Sequence, residues 1–250
     1  MNQSSDKVKN KHNNKIHYRI WEIDALRGIA IILMIGYHML FNLYFFAGIG
    51  WNVNTGLWKI LQIIIAGTFL LLVGVSLTLS KKINFFEFFL RGIRIFGLGI
   101  IISIVTFIFL KEGWIFFGIL HMIGISIIIS YFFIKYKWIN LIIGLLLILA
   151  SMLIIDIRLN SYWLIWLGFL PNTFYTVDFF PLIPWFGVVL IGIFLGKMLY
   201  INGQRKFSRL NRNSIKYDLG LSFIGRNSLI IYLLHQPILI GIMYLIGLMY

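Results

Sequence analysis

Three histidines lie inside long apolar segments: His38, His121 and His235. A helix rises ~1.5 Å per residue, so His38 lies ~16 Å from Arg27 and His235 ~14 Å from Arg226. The segment that carries His121 enters the layer from the opposite face, and His121 lies ~10 Å below that face. All three are therefore expected near the middle of a hydrocarbon layer roughly 30 Å thick. Ionisable side chains at such a depth are costly and usually face the interior of a helix bundle.

Several kinds of chemistry are open to these rings. Burial disfavours the charged form of histidine, and a neutral imidazole can act as a general base or as a nucleophile. Each ring could instead form a hydrogen bond between helices. No metal site is expected, because Asp24 and Asp178 lie toward the two faces and no carboxylate lies at the depth of the histidines.

The segment FFEFFLRGIR (85–94) places Glu87, Arg91 and Arg94 on one face of a helix. One interpretation is an amphipathic helix start at the membrane interface, with an ion pair between Glu87 and Arg91. The other is a site that contacts phosphate through the two guanidinium groups.

Further polar groups lie where other apolar segments begin. Asp24 and Arg27, three residues apart, are consistent with an ion pair at the membrane edge or with a functional role. Asn227 and Ser228 are consistent with helix capping, with contacts between helices or with substrate binding.

The composition identifies the elements that must position these groups. Of 250 residues, 60% are hydrophobic and 17% aromatic, and the mean hydropathy is +0.91. A soluble domain is only about half apolar. The chain is therefore predicted to be an all-α, polytopic transmembrane helical bundle. It has no cysteine, which excludes disulfides and thiolate chemistry.

The apolar pattern predicts about seven spans and one stretch, 162–170, that is too short to cross and reads as re-entrant or interfacial. Pro237 predicts a kink beside His235, and Gly192 with Gly196 predicts a close helix contact. Residues 1–18 are expected to form a disordered, basic cytoplasmic tail without a removable signal peptide, and 19–250 a single transmembrane domain. The predicted spans are about 25–47, 58–79, 93–110, 115–134, 138–155, 178–197 and from 224 onward.

The basic residues alternate between connections. Only Lys59, Lys111 and Arg158 of the 22 lysines and arginines fall in connections of one side. The positive-inside rule then places the N-terminus in the cytoplasm and the C-terminus outside a cell membrane. Because topology accounts for the net charge of +14, nucleic-acid binding is not expected.

Four stretches resemble the catalytic-domain family of heparan-alpha-glucosaminide N-acetyltransferase, part of a wider set of transmembrane acyltransferases. They follow one another in the order DALRGIAIILMIGYH (24–38), FGILHMIG (117–124), DFFPLIPWFGVVLIGIFLG (178–196) and GRNSLIIYLLHQP (225–237).

The resemblance implies transfer of an acetyl or similar acyl group from cytoplasmic acetyl-CoA to a hydroxyl or amine. The acceptor implied is a glycan or lipid-linked sugar on the extracytoplasmic side. His38 is favoured as the base, with His121 and His235 as further catalytic candidates; direct transfer is favoured over an acyl-histidine. Residues at the inner mouth could hold the phosphates of coenzyme A. These are Arg27, Arg91, Arg94, Arg226, Asn227 and Ser228.

One departure limits the acceptor assignment. The lysosomal enzyme of the family has its proposed catalytic histidine after the first span, whereas this chain has none between Asn42 and Ile60. The alternative function is a transporter or flippase that uses the histidines for proton coupling. A non-enzymatic scaffold would leave the histidines unexplained. Membrane lipids are expected partners, and a homodimer is left open.

Overall fold

The computed structural model describes residues 20–48, 50–80, 82–110, 112–154, 156–159, 161–201, 204–206 and 219–248. The predicted tail, 1–18, lies outside these residues. The described chain is helical, apart from one antiparallel pair of two-residue strands. In chain order the elements are α1 (Trp21–Ala47), α2 (Gly56–Thr78), α3 (Phe85–Phe109), α4 (Ile119–Phe133), α5 (Trp138–Ile154), a 3₁₀ helix (Tyr162–Leu167), α6 (Leu182–Leu199), β1 (Tyr200–Ile201), β2 (Gln204–Arg205), α7 (Leu219–Arg226) and α8 (Ser228–Leu245).

Five of the described helices are long and apolar enough to cross a membrane: α1, α2, α3, α6 and α8. Helices α4 and α5 have 15 and 17 residues, lengths of ~22 and ~26 Å against a hydrocarbon layer of roughly 30 Å. The chain is thus a multi-pass helical membrane protein, but the predicted count of seven full spans is not confirmed. The stretch predicted to be too short forms the six-residue 3₁₀ helix.

Local signals set the ends of the helices that carry the candidate site. Helix α1 begins with Glu22 and Asp24 in its first turn, where carboxylates complement the helix dipole. It ends at Gly48, which adopts the left-handed conformation (φ 65°) and donates its N–H to the Leu43 carbonyl. Asn84 caps α3 by accepting the N–H of Glu87 at 2.8 Å. The predicted amphipathic segment and third span therefore form one continuous helix.

Helices pack closely where glycines remove side chains from the contact. A Cβ on Gly192 of α6 would overlap the carbonyl oxygen of Leu71 in α2, and one on Gly196 would overlap Thr78. The predicted small-residue face is thus confirmed. At the contact between α1 and α7, Gly225 lies against the Asp24 carbonyl in the same way. Backbones approach this closely in membranes because small residues permit it.

Helix α8 brings the C-terminal part of the chain back to α1. Pro237 lies inside this helix without ending it, and the kink expected there stays a prediction. Tyr232 of α8 packs against two apolar clusters, one built around Ile31, Met34 and Tyr37 and the other around α2, α4 and α6. One face of α8 therefore lies where these parts of the bundle meet, with His235 among its buried residues.

Candidate active site

Helices α1 and α8 bring His38 and His235 into direct contact. Their ring centroids are 4.9 Å apart and the ring planes are tilted by 55°. His235 is buried and His38 half-buried. Two of the three histidines predicted from depth are thus adjacent, although 197 residues separate them in the sequence.

A short chain of hydrogen bonds holds this pair. The Gln236 amide nitrogen lies 2.8 Å from His38 Nδ1, and the Asn42 amide donates to Gln236 Oε1 at 2.9 Å. On the other ring, His235 Nδ1 contacts the carbonyl oxygen of Tyr232, one turn earlier in α8. His235 Nε2 and Asn42 Oδ1 are buried without a hydrogen-bond partner among the described residues.

An apolar cavity of about 230 Å³ lies beside His235. It is formed between α1 and α8, with Ile35 on one side and Leu234 and Ile238 on the other. Its remaining lining residues are Ile230, Ile231 and Leu239. The space beside His235 therefore accepts an apolar group and excludes charge.

His121 does not join the pair, although the sequence predicts a similar depth for all three rings. It lies in the first turn of α4, where its Nδ1 accepts the Gly118 N–H at 3.3 Å. Its Nε2 lies 3.5 Å from Ser103 Oγ, and its ring stacks on Phe117 at 5.6 Å. The position of a residue along its helix follows from the sequence, but the direction of its side chain around the bundle does not. Because protein groups engage both ring nitrogens, the geometry favours a role in holding the start of α4.

At the opposite end of α1, a buried carboxylate lies between two guanidinium groups. Asp24 is 3.9 Å from Arg27 and 3.5 Å from Arg226. Arg27 also donates to Ser76 Oγ at 2.5 Å. The ion pair predicted between Asp24 and Arg27 is therefore present. It extends to Arg226 and so ties α1 to the junction of α7 and α8.

Arg91 reaches the same end of α2 from another side, donating to Ser80 Oγ at 3.0 Å. Ser76 lies in the last turn of α2 and Ser80 follows its end by two residues, so the bonds from Arg27 and Arg91 meet the same end of this helix. Arg94 is exposed. We call the end that carries Arg27, Arg91, Arg94 and Arg226 the basic end.

The ion pair predicted between Glu87 and Arg91 is wrong. Glu87 instead lies 3.8 Å from Lys82, which precedes the helix, and Arg91 is directed to Ser80. Glu87 and Arg91 each contact a residue outside α3 instead of each other. The segment that connects α2 to α3 supplies the Ser80 hydroxyl for Arg91 and the Lys82 ammonium for Glu87. Arg91 therefore has no carboxylate partner among the described residues.

Asn227 and Ser228 lie where α7 ends and α8 begins. The Asn227 side chain donates to the Phe223 carbonyl at 2.9 Å, one turn back in α7. It forms no side-chain cap on α8, although it occupies the capping position. The two residues thus form the corner beside Arg226. Their contact with a cofactor stays a prediction.

Asp178, at the end of the bundle opposite the basic end, was not among the predicted site residues. Its Oδ2 accepts the Ile119 N–H at 3.4 Å, at the start of α4. Burial raises its pKa from 3.8 to about 6, although the Ile119 hydrogen bond and the charge of Lys59 lower it. The carboxylate also interacts electrostatically with Tyr232, one turn before His235.

Sequence reasoning also missed Asn42 and Gln236. The sequence does mark both as polar residues within apolar segments. Asn42 interrupts the first apolar segment four residues after His38, and Gln236 adjoins His235. Residues four apart share a helix face, so Asn42 could have been grouped with His38. That Gln236 connects them required the contact of α1 with α8.

Comparison with known proteins agrees with the four motifs. Residues 19–237 match the family described as heparan-alpha-glucosaminide N-acetyltransferase, catalytic. No curated protein and no solved structure gives a significant match. The match covers most of the chain and includes His38, His235 and all four arginines of the basic end. The chain therefore belongs to the catalytic-domain family of heparan-alpha-glucosaminide N-acetyltransferase, a family of membrane acetyltransferases.

Proposed function

We propose that this membrane protein transfers an acetyl or similar acyl group from cytoplasmic acyl-CoA to a hydroxyl or amine on the extracytoplasmic side. The observation that carries this proposal is the contact between His38 and His235, 4.9 Å apart inside the bundle. Two imidazoles at this depth can move a proton where water and carboxylates are scarce. The acceptor we expect is a glycan or a lipid-linked sugar.

The basic end is the proposed site for the phosphates of coenzyme A. Asp24 offsets only one of the two charges of Arg27 and Arg226, and Arg91 and Arg94 add two more cations. A net positive charge therefore remains for an anionic ligand. Guanidinium groups bind phosphate through charge-assisted, often bidentate, hydrogen bonds. Asn227 and Ser228 border Arg226 and complete the proposed site.

The same charge supports an orientation with the basic end in the cytoplasm. Lys197, at the end of α6, donates to the Lys135 carbonyl beyond α4, so further lysines lie near that level. Positive residues on one side favour the cytoplasmic face. The acyl group would then move from the basic end toward the imidazole pair. The apolar cavity beside His235 suits the methyl group of an acetyl ester.

The direct test is binding of acetyl-CoA to the purified protein in lipid nanodiscs, measured by calorimetry with dephospho-CoA for comparison. Arg91→Ala should weaken binding about 10- to 100-fold, because a hydrogen bond to a charged group contributes about 1.5–3 kcal/mol. Arg158→Ala, an exposed arginine far from the basic end, is the matched control and should bind normally.

Chemistry is tested separately by release of free coenzyme A in the presence of glucosamine or lipid-linked sugar acceptors. His38→Ala and His235→Ala should each lower kcat about 10²-fold or more while acetyl-CoA binding is retained. Absence of binding at millimolar acetyl-CoA would remove the basis for a CoA-dependent reaction. Proton-coupled uptake of a sugar into vesicles without release of coenzyme A would instead support a transporter.

A further inference from the structure

The two imidazoles of the pair make different hydrogen bonds, and the difference fixes where each proton lies. A carbonyl oxygen can only accept, so the contact from His235 Nδ1 to the Tyr232 carbonyl requires a proton on Nδ1. A neutral imidazole carries one proton, which leaves His235 Nε2 with a free lone pair. That atom is buried and has no partner among the described residues, in a side chain only 7% exposed.

His38 has the opposite arrangement. The Asn42 amide donates to Gln236 Oε1, which turns the Gln236 amide nitrogen toward His38. That nitrogen donates to His38 Nδ1 at 2.8 Å, so Nδ1 must accept. In the neutral ring the proton is then on Nε2. Asn42 is 1% exposed, so solvent does not compete for the amide that sets this direction.

We propose that Asn42 and Gln236 are positioning residues, which hold His38 as an N–H donor and thereby leave His235 as the base. This inference rests on the proposed acyl transfer and assigns the two histidines separate roles in it. It differs from the expectation from sequence that His38 is the base. The lone pair available for a proton belongs to His235, whereas the lone pair of His38 is occupied by Gln236.

The reaction then proceeds with a defined movement of protons. His235 Nε2 takes the proton of the acceptor hydroxyl or amine as its oxygen or nitrogen attacks the thioester carbonyl carbon. The carbonyl oxygen becomes an oxyanion and accepts a hydrogen bond from His38 Nε2–H. The carbon–sulfur bond breaks, and the thiolate of coenzyme A takes the proton from His235. The products are the acylated acceptor and free coenzyme A, and both imidazoles are neutral again.

These roles also define the acceptor chemically. A base with a free lone pair needs a substrate that carries a proton on a nucleophilic atom, and the unpartnered Asn42 Oδ1 is a second acceptor in the same network. Neither atom can bind a carboxylate or phosphate oxygen. The site therefore fits a neutral hydroxyl or amine, such as that of a sugar, and not an anionic nucleophile.

The test is ¹⁵N NMR of histidine-labelled protein in nanodiscs, with His38→Ala and His235→Ala used to assign the signals. We expect His38 to be protonated on Nε2 and His235 on Nδ1 at neutral pH. The inference is overturned if His38 carries its proton on Nδ1, which would mean that the Asn42 and Gln236 amides point the other way. This measurement needs no substrate, so it is independent of whether acyl transfer occurs.

A variant then tests the positioning role. Gln236→Met keeps the length of the side chain but removes the donor, so His38 should lose its fixed tautomer in the NMR spectrum. We expect kcat to fall about tenfold or more while KM for acetyl-CoA is unchanged. Gln62→Met, which removes a similar amide from the surface of α2, should change neither quantity. Normal kcat in Gln236→Met would overturn the positioning role. A wild-type protein with the expected tautomers but no acyl transfer would instead refute the proposed function.

Discussion

Replacing Asp24 with asparagine tests whether the basic end is assembled around this carboxylate. The side chain of Asp24 is 4% exposed and lies 3.9 Å from Arg27 and 3.5 Å from Arg226. Asparagine has nearly the same shape but no charge. The substitution therefore leaves two guanidinium groups near each other without the anion between them.

The size of the effect follows from the exposure of the two partners. At an effective dielectric constant of 20, one such pair corresponds to ~4 kcal/mol before desolvation is counted. Arg226 is about half exposed, so its pair contributes only about 0–1 kcal/mol. The Arg27 pair is less exposed, and removing one partner of a buried pair is costly. We therefore expect Asp24→Asn to lower the free energy of unfolding by about 2 kcal/mol.

Thermal unfolding in detergent measures this loss, and acetyl-CoA provides a second readout. If phosphates bind the basic end, they can supply the missing negative charge, so the ligand should raise the Tm of Asp24→Asn more than that of the wild type. Asp156→Asn, which removes an exposed carboxylate, is the control and should unfold like the wild type. An Asp24→Asn protein with the Tm of the wild type would refute the electrostatic reasoning. An equal response of both proteins to acetyl-CoA would refute the phosphate site.

Three further predictions concern the helices around the site. Gly192→Ala should destabilise the protein by about 1–3 kcal/mol in thermal unfolding because its Cβ overlaps the α2 backbone, whereas Gly67→Ala, which meets no atom within 4 Å, should not. His121→Ala should lower the free energy of unfolding by about 1–2 kcal/mol but keep kcat near that of the wild type; loss of acyl transfer in a folded variant would instead support a catalytic role for His121. Asp178 has a folded pKa of about 6, above its ordinary 3.8, so the folded state holds this proton more tightly and wild-type stability should decline as pH rises through 6. Asp178→Asn should lack this decline, and parallel pH profiles of Tm would contradict the assignment.

Much of the architecture was predictable, because the bilayer imposes strong rules on composition. Long apolar helices, the close contact at Gly192 and Gly196 and the short segment at 162–170 all follow from length and residue type. The count of seven full spans is not confirmed, since α4 and α5 have 15 and 17 residues, fewer than the roughly 20 that a full span needs. Helix ends depend on neighbours as well as on hydropathy.

The ion pairs also divide into one that the sequence predicts correctly and one that it does not. Asp24 and Arg27 lie three apart on one helix, so their contact needed only local geometry. Glu87 and Arg91 also satisfy that spacing, yet each found a partner outside the helix. Spacing along one helix therefore makes a contact possible, and the packing of neighbouring segments determines whether it forms.

The sequence alone determined that this protein is a helical membrane protein with imidazoles inside apolar segments and cations near one end. Those properties depend on hydrophobicity, charge and distance along one helix, which can be read from residue order. The tertiary structure decided that His235 meets His38 while His121 turns to Ser103 and Gly118. It also decided that Gln236 connects His38 to Asn42. Such pairings depend on how α1 and α8 are rotated and packed, which is a property of the whole bundle.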